Sequence, residues 1–234
     1  MGTKLKIIAR IRTDFPTKFG IPRQSGLVES LKGMIVFEPE FRNPDVVRGL
    51  EGFSHIWLIW QFSESLRENW SATVRPPRLG GNTRIGVFAS RSPFRPNPLG
   101  LSSVRLTGIE VHPDFGPVLH VVGADLMDDT PIFDIKPYIP FTDSHQAAVG
   151  GFADSVKDYS LSVDFPEHWL RIIPFERREA LIGVLANDPR PSYQDDAERI
   201  YGFEFLRFDI RFTVRDRVLS VCGWWSDEGA MLAG

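Results

Sequence analysis

Five runs rich in branched and aromatic residues follow one another through the first half of the chain. They are GMIVFEPEF (33–41), HIWLIWQF (55–62), RIGVFAS (84–90), LSSVRLTGIEVH (101–112) and PVLHVVGADLM (117–127). Runs of this composition, bounded by turn residues, read as strands. A doubly wound parallel sheet needs a helical segment of about 10–15 residues between successive strands, and none recurs here. The pattern therefore predicts a mainly β architecture, with an antiparallel β-barrel in the N-terminal domain. HIWLIWQF is apolar nearly throughout and is expected to be buried on both faces. LSSVRLTGIEVH alternates through Leu101, Val104, Leu106, Ile109 and Val111 with a slip at Ser102–Ser103, as a half-buried strand would.

The composition turns small and polar around DSHQAAVGGFADS (143–155), a loop or linker signal. Beyond it, PFERREALIGVLAND (174–188) reads as a helix with Pro174 near its start and Leu181, Val184 and Leu185 along one face. YGFEFLRFDIRFTV and VLSVCGWW then alternate across Arg215-Asp216-Arg217 as a hairpin would. The expected organisation is a barrel domain over 1–145, a linker over 146–165 and a small α+β domain over 166–234.

Several function classes drop out at once. No apolar run approaches the ~20 residues of a membrane helix, and the start MGTKLKIIARIR has no signal-peptide h-region. The single cysteine, Cys222, permits neither an internal disulfide nor a cysteine-based zinc site. A cytoplasmic location follows as the expectation. The five histidines have no metal-ligand spacing, so no metal is expected. P-loop, nucleophile-elbow and dinucleotide fingerprints are missing too. The net charge of −3 hides an asymmetry: residues 1–106 carry a net +8 and residues 107–234 a net −11. Clustered arginine in the front half fits an anion or nucleic-acid site, though two solvated faces that attract each other would give the same count.

The densest chemistry lies in VRPPRLGGNTRIGVFASRSPFRPNPLGLSSVRL (74–106). Pro93, Pro96 and Pro98 fix φ at about −65° and stiffen the loop, so docking a ligand there costs little ordering entropy. Arg91 and Arg95 stand on that loop, and a guanidinium offers a planar fork of donors for carboxylate or phosphate. Asn97 can cap or read polar edges, and Phe94 is either a stacking surface for an unpaired base or part of the core. Asp125, Asp128, Asp129 and Asp134 cluster in VGADLMDDTPIFDIKPYIPF (122–141). They suit acid–base work, acceptance of hydrogen bonds from a ribose or an ammonium group, or turn formation. GIPRQSG (20–26) and DPRPSY (188–193) are weaker signals, the second repeating the arginine-between-prolines device.

Taken in order, IPRQSGL, VRGLEGFSHIWLIWQF, VRPPRLGGNTRIGVFASRSPFRPNPLGLS, DLMDDTPIFDIKPYIPF and DPRPSY resemble the TsaA/TrmO family over nearly the whole chain. The resemblance implies a tRNA methyltransferase that uses S-adenosylmethionine on a β-barrel, without a metal. It would methylate the exocyclic nitrogen of threonylcarbamoyl-adenosine beside the anticodon of a threonine tRNA. It further implies a homodimer with a C-terminal domain that helps bind tRNA. Carried over by motif, the methyl donor would meet Gln24, Ser25, Gly26, Ser63, Glu64, Arg91 and Leu101. It would also meet the run Ala124, Asp125, Leu126, Met127 and Asp128. Asp188, Arg190 and Tyr193 would form the catalytic set, with Arg95, Asn97 and Arg190 toward the RNA. The sequence departs from the family at Asp129, where relatives usually carry glycine; a positive φ there would strain most side chains. Two other classes stand beside the enzyme: a non-catalytic module for an adenosine-containing ligand, and an RNA-binding protein without a cofactor.

Overall fold

The computed structural model describes residues 4–66, 68–76, 83–190, 196–226 and 232–233. The first half forms β1 (Ala9–Arg12), β2 (Lys32–Phe37), β3 (His55–Gln61), β4 (Thr73–Val74), β5 (Ile85–Gly86), β6 (Leu99–His112), β7 (Gly116–Val122) and β8 (Thr130–Pro137). Six of these close a barrel in the order β1-β2-β7-β6-β3-β8. Every neighbouring pair is antiparallel, and β8 returns to β1 with Ile11 opposite Thr130. Closure leaves no unpaired edge to attract another strand. The small strands β4 and β5 make a separate ribbon. The barrel reading of the sequence is thus realised.

Three strand expectations change in detail. RIGVFAS contributes only Ile85–Gly86 as strand, and Val87–Ala89 winds into a 3₁₀ turn. In β3 only Ile56, Leu58 and Trp60 are fully inside; the residues between them are half-buried. The outer face of β3 is covered by the chain after β8, where Trp57 Nε1 donates to Asp143 Oδ2 at 2.9 Å and the indole packs on Tyr138. β6 runs in the opposite phase to the one expected at its start. Leu101 points outward, 56% exposed, while Gly100 and Ser102 face the interior. A bulge between Leu106 and Gly108 then shifts the register.

That phase follows from Trp60. Its indole lies against Gly100 so closely that a Cβ there would stand 2.2 Å from Cε2. Its Nε1 donates to the buried Ser102 Oγ at 2.9 Å. The small residues of β6 make room for one large ring from β3, with the ring's polar atom satisfied.

The second half contains α1 (Pro140–Asp143), β9 (Ser162–Asp164), α2 (Glu167–Leu170), α3 (Phe175–Ala186), β10 (Tyr201–Phe205), β11 (Phe208–Arg215), β12 (Val218–Ser226) and β13 (Leu232–Ala233). The stretch read as a single strand from Tyr201 onward folds as two. Leu206 takes φ +56° at the turn between β10 and β11. Asp216 (φ +50°) and Arg217 (φ +63°) make the next turn, the two-residue geometry that suits a hairpin's twist. Residues 162–164, inside the expected linker, form β9 and pair in parallel with β12. This mixed sheet and α3 make the smaller α+β unit. No helix among the described residues is long and apolar enough to cross a membrane.

A second hydrophobic core joins this sheet to the Ala180, Leu181, Val184 and Leu185 face of α3. Phe15, Val28 and Leu31, from the excursion between β1 and β2, are buried in the same cluster. Phe15 meets Phe205 edge to face at 5.5 Å, and the Leu206 N–H donates to the Asp14 carbonyl at 2.7 Å. The first loop of the barrel is therefore part of the second core.

Gly100→Ala is expected to destabilise the protein by roughly 1–3 kcal/mol, the usual cost of overpacking a filled interior. Trp60 has nowhere to move without breaking its bond to Ser102. Chemical denaturation monitored by tryptophan fluorescence checks this; an unchanged midpoint would show that the ring is not wedged.

Candidate functional site

The proline-rich loop braces itself. Ser90 Oγ accepts from the Ser92 N–H and Ser92 Oγ from the Phe94 N–H, both at 3.3 Å. The Arg95 guanidinium reaches back to the Ser90 carbonyl at 3.0 Å, and the Leu99 N–H donates to the Asn97 carbonyl at 2.7 Å. Local hydroxyl and proline constraints thus replace the sheet ladder. Arg91 stands exposed at the loop's start, and its Nη1 donates to Gln24 Oε1.

Gln24 belongs to the turn that closes the β1–β2 excursion. The Gly26 N–H donates to the Gly123 carbonyl at 2.9 Å, and the Gly123 N–H to the Leu31 carbonyl at 2.8 Å. Gly26 (φ +79°) and Gly123 (φ +80°) both need left-handed backbone, and a Cβ on Gly123 would sit 3.5 Å from Gly26. Beside this contact, Asp125 accepts from Ser102 Oγ at 2.5 Å and from the Ser25 N–H. A continuous chain, Trp60 to Ser102 to Asp125, therefore runs from the barrel interior to the turn. Burial pushes the Asp125 carboxyl above the usual carboxylate range, and the hydrogen bonds and nearby Arg91 charge only partly offset it.

A third motif approaches from the C-terminal side. Asp188 follows α3 at φ +56°, a conformation Asp tolerates better than most residues. Arg190 grips its carboxylate with two donors, Nε to Oδ1 at 2.8 Å and Nη2 to Oδ2 at 3.0 Å. Tyr159 Oη adds a third bond at 2.8 Å. Burial alone would raise the Asp188 carboxyl, but the Arg190 and Tyr159 bonds prevail and hold it below its ordinary range. Arg23, next to Gln24, donates from Nη2 to the Arg190 carbonyl at 3.3 Å. Three motifs separated by up to 167 positions thus meet: the turn at 23–26, the loop at 91 and the segment at 188–190.

The chain that carries these motifs matches known proteins over nearly its whole length. Residues 10–144 match the model of the tRNA-methyltransferase O N-terminal domain, and residues 160–224 match that of the TrmO C-terminal domain. The chain belongs to the TrmO family. The tRNA (adenine(37)-N6)-methyltransferase of Escherichia coli K12 is 41% identical over 217 residues, covering 89% of this chain and 92% of that protein. The enzyme of the same name from Eikenella corrodens is 44% identical over 163 residues, 69% of this chain and 91% of its own length. The crystal structure of TrmO from Pseudomonas aeruginosa superimposes with a TM-score of 0.75 at 31% identity, covering 97% of this chain and all of that one.

The residues expected from the TrmO resemblance fall into groups. Gln24, Ser25, Gly26, Arg91 and Asp125 come together directly. Ser63 and Glu64 open the 3₁₀ turn after β3, just beyond Phe62, whose N–H donates to the Pro98 carbonyl at 3.0 Å. Leu101 lies on the outer surface. Ala124 and Leu126 are buried in the barrel core, and Met127 offers its carbonyl to Thr130 Oγ1 at 2.7 Å. Asp128 turns toward β1, accepting from the Thr13 N–H at 2.9 Å and pairing with Arg12. Arg95 and Asn97 stay on the proline-rich loop, and Tyr193 lies outside the described residues.

Asp129 does adopt the positive φ, +62°, at the bend where the resemblance led to glycine being expected. Its carboxylate pairs with Arg10 at 3.0 Å and Arg12 at 2.9 Å, so strand β1 holds the strained bend in place. Sequence reasoning overlooked Ser102, Tyr159 and Phe88. The slip in the alternation at Ser102 was a usable sign of an inward hydroxyl, whereas Tyr159 had no local signal at all. Phe88 is 74% exposed with the Arg95 guanidinium 6.0 Å from its ring centre, while Phe94 is half-buried.

The two carboxylates give opposite expectations. The raised Asp125 weakens the fold above about pH 4, and this penalty disappears as pH falls below the unfolded pKa. Asp125→Asn should therefore raise Tm by a few degrees at pH 7, with the gain fading in acid. The lowered Asp188 stabilises the fold above about pH 4 and loses that effect as pH falls through its folded pKa. Asp188→Asn should cost about 3 kcal/mol at neutral pH, since it removes the charge that the mostly buried Arg190 guanidinium pairs with. Thermal unfolding of both variants from pH 3 to 7 checks the signs.

Proposed function

We propose that this chain transfers a methyl group from S-adenosylmethionine to the exocyclic nitrogen of threonylcarbamoyl-adenosine beside the anticodon of a threonine tRNA. The observation that carries the reading is the convergence of Gln24–Gly26 and Arg91 on Asp125 at the barrel end. The relatives' name, tRNA (adenine(37)-N6)-methyltransferase, agrees with it.

The residues suit the methyl donor. An exposed guanidinium, Arg91, fits a carboxylate. A partly buried acid anchored by two donors, Asp125, fits ribose hydroxyls or an ammonium group. The bare backbone of Gly26, where an added Cβ would meet nothing within 4 Å, leaves space for close approach. When bound, S-adenosylmethionine supplies an electrophilic methyl on a cationic sulfur. The accepting nitrogen is conjugated to a carbamoyl group and is a weak nucleophile. As its bond to carbon forms and the carbon–sulfur bond breaks, its proton must leave. Holding nitrogen, carbon and sulfur in line supplies much of the acceleration.

In this reading Asp188 and Arg190 brace the end of the described segment that leads on to Tyr193, and Tyr193, ionised to the phenolate by the nearby Arg190 charge, accepts the proton. RNA is received by the basic front half, with Arg95, Asn97 and the exposed Phe88 beside the anticodon loop, so binding weakens as salt rises. The family resemblance also supports a cytoplasmic homodimer, which sedimentation would record as a species of twice the chain's mass.

Nucleoside mass spectrometry tests the reaction. Threonine tRNA incubated with the protein and S-adenosylmethionine should gain one methyl group only when it carries the threonylcarbamoyl group. Donor binding without any methylated nucleoside would favour a non-catalytic module instead. Tyr193→Phe should lower turnover by roughly 10²-fold or more while leaving donor affinity intact; full turnover in that variant would remove the proton-acceptor role.

A further inference from the structure

Gly183 stands inside α3, where glycine is a much poorer helix former than alanine. Its neighbour across the interface accounts for it. A Cβ at position 183 would lie 2.7 Å from Val28 Cγ1, closer than two carbons can approach. Val28 is 5% exposed and belongs to the second core, although the chain reaches it from β1 of the barrel. Gly20 repeats the device within the same excursion, with its would-be Cβ 2.2 Å from the Phe203 ring. The excursion is thus seated at two points on C-terminal backbone or side chains that leave no spare space.

The Gln24–Gly26 turn lies between those two seats. On the barrel side it is tied by the Gly26–Gly123–Leu31 hydrogen bonds, and on the other side by Val28 on α3 and Arg23 on the Arg190 carbonyl. We propose that Gly183 and Val28 are positioning residues for methyl-donor binding: their close contact fixes the Gln24–Gly26 turn, so the C-terminal domain sets the donor affinity of the barrel. This rests on the reading of Gln24–Gly26 as donor contacts.

A double-mutant cycle on the full-length protein tests it, with S-adenosylmethionine affinity measured by calorimetry in the absence of tRNA. Gly183→Ala pushes Val28 off the helix and should weaken donor binding about tenfold, as an overpacked contact displaces the turn. Alanine favours the helix itself, so helical content should hold. Val28→Ala empties the seat and should also weaken binding. The double variant, in which the new methyl occupies the vacated space, should bind better than either single variant. Gln24→Ala serves as the control for the underlying site and should weaken binding on its own.

If Gln24→Ala weakens binding while Gly183→Ala and Val28→Ala leave it unchanged, the positioning role is overturned and the site stands. If Gln24→Ala has no effect, the site reading fails and takes the positioning role with it. Loss of affinity without recovery in the double variant also overturns the proposal, since the effect would not run through this contact. Should Gly183→Ala fail to fold, Val28→Ala decides alone: unchanged affinity refutes the role.

Discussion

Most of this structure depends on one segment, residues 13–31, meeting the demands of two cores at once. Its ends are fixed by β1 and β2 of a closed barrel, while Phe15, Val28 and Leu31 bury themselves in the C-terminal sheet and helix. A surface loop this long would ordinarily be among the most mobile parts of a domain. Here it carries apolar anchors, backbone bonds to Gly123 and Leu206, and the Asp14–Arg177 contact at 3.4 Å. The Gln24–Gly26 turn it bears is consequently held by packing from both sides rather than by the loop's own chemistry. Such support is what a preorganised site requires, because misplacement by about 1 Å is enough to cost substantial activity.

The electrostatics around that turn divide into groups that stabilise and one that does not. Asp188 is gripped by a forked guanidinium and a phenol, and Asp129 by two arginines from β1. Both acids occupy left-handed backbone, and in each case charge-assisted bonds offset local strain. Asp125 is different. Burial raises it, and its hydrogen bonds together with one nearby arginine do not fully compensate. A destabilising carboxylate at the mouth of a barrel, wired through Ser102 to a core tryptophan, is the kind of feature that function retains and stability alone would remove.

The family assignment and the geometry support each other from independent directions. Both halves of the chain match the two domain models of the family, and a crystal structure of TrmO covers nearly the whole chain. The geometry adds that four of the motifs carrying the resemblance touch: Arg23 meets the Arg190 carbonyl, Gln24 meets Arg91, and Ser25 meets Asp125. The arginine-rich loop and the acidic strand end, ambiguous when considered alone, acquire defined partners only in this constellation.

The amino-acid sequence by itself determined the class of fold, because period-2 runs without intervening helices leave an antiparallel closed sheet as the economical way to satisfy backbone groups. It also determined that a helix lies within 174–188, observed as Phe175–Ala186, whose 3.6-residue stripe became the buried Ala180–Leu185 face, and the stiffness of the loop around Pro93–Pro98. Those are local properties, written in spacing and backbone chemistry. The tertiary structure decided which face of β6 turns inward, because the space for Trp60 is set by a neighbouring strand. It decided that Asp125 rather than Asp128 faces the turn, and that Tyr159 bonds Asp188 across 29 positions. It also decided that the barrel's first loop belongs to the second core. No local pattern encodes these outcomes, since each depends on what a distant part of the chain places opposite.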